Sequence, residues 1–352
     1  MNQKELTSSA ITNHFKKYPL LKPRDIFKFL YHSVFGCEHL VSSVEFVVER
    51  IKEEFNHSIP KEEITEPLDG NFCRVNLDIL SKGLSPETLG KLFYLSAKKE
   101  KGTLEDLKEK LDVLKELVKS GNSPFSKEEF EKELESWESQ EFPAIHHSEE
   151  FRQNYHPSYR VISNDFIKFL PLLCEIDKKA KENSIVVSIE GSSASGKTTF
   201  GNTLKDIYDC NLFHMDDFFL QLHQRTKERL NTPGGNIDSE RFLEEILVPL
   251  SQKQDINYHK FKCSDMMLEK QNTVPFKNIT IIEGAYSMHP DFQKYYDISA
   301  FLDISEDFQK KRILKRNPDM ADRFFHIWIP LEHKYFNAFN IKEKCDFIIP
   351  IN

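Results

Sequence analysis

Gly191-Ser192-Ser193-Ala194-Ser195-Gly196-Lys197-Thr198-Thr199 carries the most readily named chemistry in this 352-residue chain. A glycine, four further residues and then Gly-Lys-Thr form the pattern of a loop whose backbone N–H groups wrap an anion. Gly191 and Gly196 can take the backbone angles that turn successive N–H groups inward. Lys197 would then reach the β- and γ-phosphates of a nucleoside triphosphate, and the Thr198 hydroxyl would ligate magnesium. The β-branched run from Ile185 to Ile189 predicts a buried parallel strand feeding the loop. A helix starting near Lys197 would add its dipole and unpaired N–H groups. The expected cofactors are therefore ATP or GTP and Mg2+.

Further chemistry follows at regular intervals. An apolar stretch, Asn211 to Met215, ends in Asp216-Asp217-Phe218-Phe219. Carboxylates at the C-terminal end of a parallel strand lie where open α/β sheets bind ligands, and one of them can accept a hydroxyl proton or hold magnesium. Arg225, Arg229 and Pro233-Gly234-Gly235 come next, with Asp238 predicted to cap a helix through Arg241 and Leu250. Ile279 to Ile282 reads as another buried strand ending in Glu283-Gly284, with Glu283 placed to serve the metal and Gly284 to leave room for the phosphate loop. Phe301 to Asp303 predicts a fourth strand and Cys345 to Ile349 a last one. The helix between them carries Arg312 and Arg316 and is followed by Arg323, a set that suits a lid closing over phosphates as well as a solvated basic face.

Taken in order, these landmarks resemble the uridine kinase and phosphoribulokinase-like superfamily over about residues 183 to 352. The resemblance implies a five-stranded parallel sheet with helices on both sides. It assigns Asp216 as the base toward the acceptor hydroxyl and Thr198 and Glu283 to magnesium. It places the lid around Arg312 to Arg323, and by that likeness Lys197, Arg316 and Arg323 act on the transferring group. Asp217, Phe219, Arg229, Asn231 and Tyr258 fall at acceptor-binding positions. The sequence departs from the uridine kinase pattern at several of these. Asn231 stands where an Asp would hold the ribose hydroxyls, Cys263 follows Tyr258 where a His is usual, and Asp217 replaces a Ser. A small hydroxyl-bearing acceptor is implied, with a nucleoside such as uridine first, a sugar phosphate or vitamin precursor as the alternative, and a nucleotide-gated ATPase switch as the reading outside kinases.

The first half must be positioned by helices. Ile26, Phe27, Phe29, Leu30 and Val34 make one apolar flank of a helix over 25–35, and Val41, Val44, Val47, Val48, Ile51 and Phe55 the face of a second. Asp69-Gly70, with Cys73, Val75 and Leu77 alternating against Arg74, Asn76 and Asp78, predicts a small hairpin. Ser85-Pro86, Thr103 with Asp106, and Ser126 with Glu129 are helix-start signals. Between 142 and 162 the residues His146, His147, Glu149, Arg152, Tyr155, His156, Tyr159 and Arg160 crowd together with little periodicity. They suit a packed connection or a contribution to substrate or anion binding. Adjacent histidines in an extended chain point to opposite sides, which argues against a metal site there.

The fold class read from these patterns is α/β, a P-loop parallel sheet with flanking helices preceded by a mainly helical domain. The expected division is 1–140 helical, 141–182 connecting and 183–352 kinase. Residues 1–150 hold 21 Lys and Arg against 28 Asp and Glu, a balance that repels nucleic acid. No apolar run approaches the length of a membrane span, and Met1 to Lys17 shows no signal-peptide pattern, so a cytoplasmic protein is expected. The 6 cysteines lie too far apart in sequence for a zinc or redox motif. The expected partner is a small-molecule acceptor, and a homo-oligomer is compatible with all of this.

Overall fold

Caps and apolar periodicity locate most of the helices. In the computed structural model, which describes residues 2–37, 43–99 and 101–351, the chain divides into two compact units, Met1–Leu170 and Pro171–Asn352. The first unit opens with α1 (Gln3–Lys17), where the Asn2 side chain accepts from the Glu5 N–H and Glu5 answers to the Asn2 N–H. α2 (Pro23–Phe35) buries the predicted flank Ile26, Phe27, Phe29, Leu30 and Val34. α3 (Val44–Asn56) is capped by Ser43 and buries Val47, Val48 and Ile51; Val41, expected on the same face, lies outside the described residues. α4 (Pro86–Ala97), α5 (Leu104–Lys119) and α6 (Lys127–Glu138) start on Ser85, Thr103 and Ser126, and the last two have both halves of the capping box. Each such cap is worth about 1 kcal/mol.

The predicted hairpin is part of a larger element. β1 (Thr65–Pro67) and β2 (Phe72–Asn76) pair antiparallel, and β3 (Tyr159–Ser163) adds to the free side of β2 with Phe72 opposite Ser163. β2 is therefore a central strand, and its expected polar face is not exposed: Arg74 is 1% accessible. Its charge is met by Glu66 at 3.6 Å and by the Tyr159 ring, whose centre is 4.6 Å away. α7 (Glu149–Tyr155), capped by Ser148, leads into β3. The His146-to-Arg160 segment thus forms a helix and a strand of the first unit.

In the second unit β4 (Ile185–Gly191), α8 (Lys197–Ile207), β5 (Cys210–His214), the hairpin strands β6 (His259–Lys262) and β7 (Met267–Lys270), β8 (Ile279–Glu283), β9 (Ile298–Ile304), α9 (Glu306–Arg316), α10 (Ile329–Phe339) and β10 (Phe347–Ile351) follow in order. Five strands form one parallel sheet in the order β10-β9-β4-β8-β5. Val187, Ile189, Ile281, Ile282 and Ala300 have almost no exposure, as a sheet covered on both faces requires. A core of Phe213, Phe218, Phe242, Phe292 and Tyr335 packs against one side. The helix predicted after Asp238 is interrupted by a wide turn at Leu243–Leu247, where the Val248 N–H bonds back to Leu243 beside Pro249, which has no N–H. Among the described residues no helix is long and apolar enough to cross a membrane.

Candidate functional site

Strand register brings the predicted residues to one end of the sheet. Ile189 on β4 and His214 on β5 both pair with Glu283, the last residue of β8, and Gly191 pairs with Leu302 on β9. The phosphate loop, the acidic turn and Glu283 therefore leave the same edge side by side. Gly191 holds φ at +147°, and a Cβ there would lie 2.7 Å from the Leu302 carbonyl oxygen, so no other residue fits without moving β9. Ala194 and Gly196 also have positive φ, at 61° and 99°. Such alternation makes a concave nest of N–H groups.

Contacts from two helices fasten the loop. Gln309 on α9 donates to the Ser193 carbonyl at 2.8 Å, and Arg312 donates to the carbonyls of Ala194 and Ser195 at 3.1 and 3.2 Å. From α10 the buried Glu332 accepts from the Ser193 N–H at 2.9 Å and from its hydroxyl at 2.5 Å. Lys197 folds its ammonium onto the carbonyls of Gly191 and Ser192 at 2.8 and 2.9 Å. Ser192 and Thr199 flank this nest, and the Ser195 hydroxyl is buried in it with no hydrogen-bond partner among the described residues.

Thr198 donates its hydroxyl to Glu283 Oε1 at 3.0 Å, and His214 Nδ1 meets the same oxygen at 2.5 Å. That bond to the carboxylate raises the His214 pKa. A hydroxyl and a carboxylate oxygen this close are hard donors of the kind magnesium takes alongside water and phosphate, so Thr198 and Glu283 fit the ion. Gly284 has a different role from the one expected. A Cβ there would meet Met215 Cβ at 2.6 Å, so the space it leaves is filled by the residue before the acidic pair and not by the phosphate loop.

Asp216 and Asp217 sit in a single helical turn, Met215–Phe218. The Asp217 side chain is buried and ion-paired to Lys260 on β6 at 2.7 Å. Asp216 is exposed yet crowded by protein atoms, which raises its pKa; Glu283 and Asp217 push the same way and Lys197 opposes. Tyr286 is buried with φ at +75°, a strained state for an aromatic residue, and Asn236 bonds to its hydroxyl.

The remaining predicted residues are spread more widely. Phe219 forms an isolated bridge with Ile237, and Tyr258 packs its ring against Phe213 and Phe218. Arg229 is bidentate to Glu240 at 2.6 and 2.7 Å and also donates to the Gly235 and Ile237 carbonyls. Asn231 is exposed, and its carbonyl accepts from Lys334 at 2.5 Å. Arg316 and Arg323 are exposed, with no hydrogen bond or ion pair found for them among the described residues.

Five residues that sequence reasoning did not single out shape the site: Glu190, His214, Tyr286, Gln309 and Glu332. Glu190 directly precedes the loop and is fully buried, accepting from the N–H groups of Gly191 and Met288 at 2.8 and 3.0 Å, with the Tyr335 hydroxyl at 3.2 Å. Burial raises its pKa to about 7. His214 could have been found by aligning the strand ends, since it stands one residue before Met215 and opposite Glu283. Glu332 carries no such local signal.

Residues 186–327 match the sequence pattern of the Phosphoribulokinase / Uridine kinase family. That match supports small-molecule kinase activity of a general kind for the second unit. No curated protein matches the sequence. Among solved structures, a possible uridine kinase from Bacillus stearothermophilus is 18% identical, with 51% of this chain and 98% of that one covered at a TM-score of 0.38. A protein described as a fructose transport system kinase, from Silicibacter sp. TM1040, is 19% identical over 48% of this chain and 91% of that one, at 0.39. Shikimate kinase from Bacteroides thetaiotaomicron is 14% identical over 47% and 86%, at 0.25.

Proposed function

We propose that the second unit transfers the terminal phosphoryl group of ATP or GTP to a hydroxyl of a small metabolite, with a nucleoside such as uridine as the first acceptor to test. The observation that carries this reading is the convergence, at one sheet edge, of the loop with Lys197, the Thr198–Glu283 pair and the open carboxyl of Asp216. Lys197 leaves its loop carbonyls to offset charge on the transferring group, while the N–H groups of the nest hold the phosphates. Arg312 braces the loop through its carbonyls, and Arg316 and Arg323 extend toward solvent from where a lid would close. Thr198 and Glu283 would hold magnesium, which would supply charge neutralisation for the phosphates. Asp216 takes the acceptor proton, and its raised pKa brings it nearer the range useful for a base.

A non-nucleoside alcohol is the second reading, favoured by the state of the acceptor positions. Asn231 brings no charge, Arg229 is committed to Glu240, and the Tyr258 ring is packed between phenylalanines. Asp216, Asn236 and Tyr286 then define the acceptor pocket. The deciding measurement is a screen of nucleosides, sugars, sugar phosphates and vitamin precursors for acceptor-dependent ADP or GDP formation with magnesium. Turnover with one class names the acceptor. Equal slow hydrolysis with every compound would reject the kinase reading in favour of a nucleotide-gated switch.

A further inference from the structure

The first unit contains a cavity of about 770 Å³ between α2, the end of α3 and the segment 146–158. A smaller chamber of about 250 Å³ adjoins it beneath Tyr159 and Val161, and Lys28, Arg50, His146 and His147 line both. This is the size range of small-molecule sites. Its charge balance is distinctive. Lys28, Arg50 and Arg152 line the larger space against Glu53 and Glu54, and Glu54 is already held by Arg160 at 2.8 Å and Arg50 at 3.6 Å. Among the described residues Lys28 has no carboxylate at ion-pair distance, and its ammonium donates to the Ile145 carbonyl at 3.0 Å. Arg152 likewise spends two N–H groups on the His147 carbonyl, at 3.2 and 2.8 Å, and its remaining N–H groups have no hydrogen-bond partner among the described residues.

The wall behind these cations is rigid. Asp25, fully buried, accepts from His147 Nδ1 at 3.0 Å and from the Ser148 N–H and hydroxyl at 2.9 and 2.6 Å. His147 Nε2 meets the Tyr159 hydroxyl at 2.7 Å. Burial keeps the imidazole neutral, with its pKa lowered to about 3, so Nδ1–H donates to Asp25 and Nε2 accepts from Tyr159. Behind Tyr159 lies the buried Arg74 guanidinium, whose Nε and Nη2 have no hydrogen-bond partner among the described residues. At the rim, His156 ends α7 in the left-handed region with φ at 43°, its N–H bonded to the Arg152 carbonyl.

We propose that this cavity, built from first-unit residues alone, is a second binding site for a small phosphomonoester, with Lys28 and Arg152 gripping the phosphate and the His147–Tyr159 wall shaping the rest of the pocket. Paired lysine and arginine donors without a carboxylate of their own suit a dianionic oxyanion, and arginine presents its donors in a fork that matches phosphate oxygens. The larger volume leaves room for a polar body attached to that phosphate.

The test is calorimetric titration of the full chain with ribose 5-phosphate and AMP, each beside its neutral parent, and with succinate as a carboxylate dianion. The titrations are repeated on Arg152→Gln, Lys28→Met and Lys197→Ala. The expected result is binding of at least one phosphate ester but of neither neutral parent. It should weaken at least tenfold in Arg152→Gln and in Lys28→Met, and stay unchanged in Lys197→Ala. Arg152 is exposed, so its variant is expected to fold even if Lys28→Met does not, and melting temperatures check both. Failure of both esters to bind, succinate binding as tightly as they do, or loss of binding in Lys197→Ala with retention in Arg152→Gln would each overturn the proposal. The third result would place the ester at the phosphate loop.

Discussion

Asp216 and Asp217 are adjacent in sequence, but their carboxylates meet different surroundings. Asp217 is 5% exposed and neutralises Lys260, while its carbonyl accepts from Arg241. Asp216 is exposed and has no ion-pair partner among the described residues. Asp216→Asn keeps the shape and removes the proton acceptor, so kcat is expected to fall roughly 10²- to 10⁴-fold with triphosphate affinity nearly retained. Asp217→Asn is expected to act mainly on stability by leaving Lys260 without its carboxylate, with a smaller loss of turnover. Measuring kcat, ATP affinity and melting temperature for both variants separates the roles. A mild Asp216→Asn beside a dead but fully stable Asp217→Asn would reverse them. Lys197→Ala removes the only cationic side chain within the loop itself, and both phosphoryl transfer and triphosphate affinity are expected to collapse. Normal steady-state turnover in that variant would end the kinase reading.

At the level of elements, the strand that feeds the loop ends in a carboxyl under strain from its surroundings. Glu190 is taken out of water, and its two N–H donors and Lys197 compensate only in part, leaving its pKa near 7 against 4.5 for the free side chain. The folded state then binds more protons than the unfolded one between about pH 4.5 and 7, so this group lowers stability as pH rises through that window. The full cost, of order 3 kcal/mol by linkage, is in place above it. Glu190→Gln is expected to flatten that part of the melting temperature's pH dependence, and a profile parallel to the wild type between pH 5 and 8 would reject the assignment. None of this was legible locally. The β-branched runs, the Gly-Lys-Thr loop and the helix caps announce themselves because their determinants lie within a few residues. Alternation sets Arg74 on the face opposite Cys73 and Val75 but cannot show that β3 would cover β2 from more than 80 residues away. The grip of Glu332 on Ser193 spans 139 residues and needs the whole second unit to be folded first. Acceptor positions such as Arg229 were visible by type, but their commitment to Glu240 depends on a turn that residue type does not encode.

Across the whole molecule, the two units raise the question of whether the chemistry of the second needs the first. The hydrogen bonds and ion pairs that build the candidate site join residues within 190–335. A cut must respect the elements near the boundary at 170. β3 ends at Ser163 and belongs to the first sheet, and Asn164 still bonds through its side chain to the Gly70 carbonyl at 2.8 Å. The next short helix closes at Ile167, and the helix that leads toward β4 begins at Leu170. A fragment starting at Lys168 therefore drops the short helix entire, keeps the helix from Leu170 whole and leaves no strand without its partner. The second unit has its own apolar core, so a cooperative melt is expected for residues 168–352. Acceptor-dependent turnover should stay within a few-fold of the full chain, because ΔΔG for groups that share no partners is close to additive. The comparison is made at saturating triphosphate with the acceptor varied, so that a change confined to acceptor KM can be told from a loss of kcat. A fragment that melts cooperatively and binds ATP but turns over no acceptor would show that turnover needs the first unit.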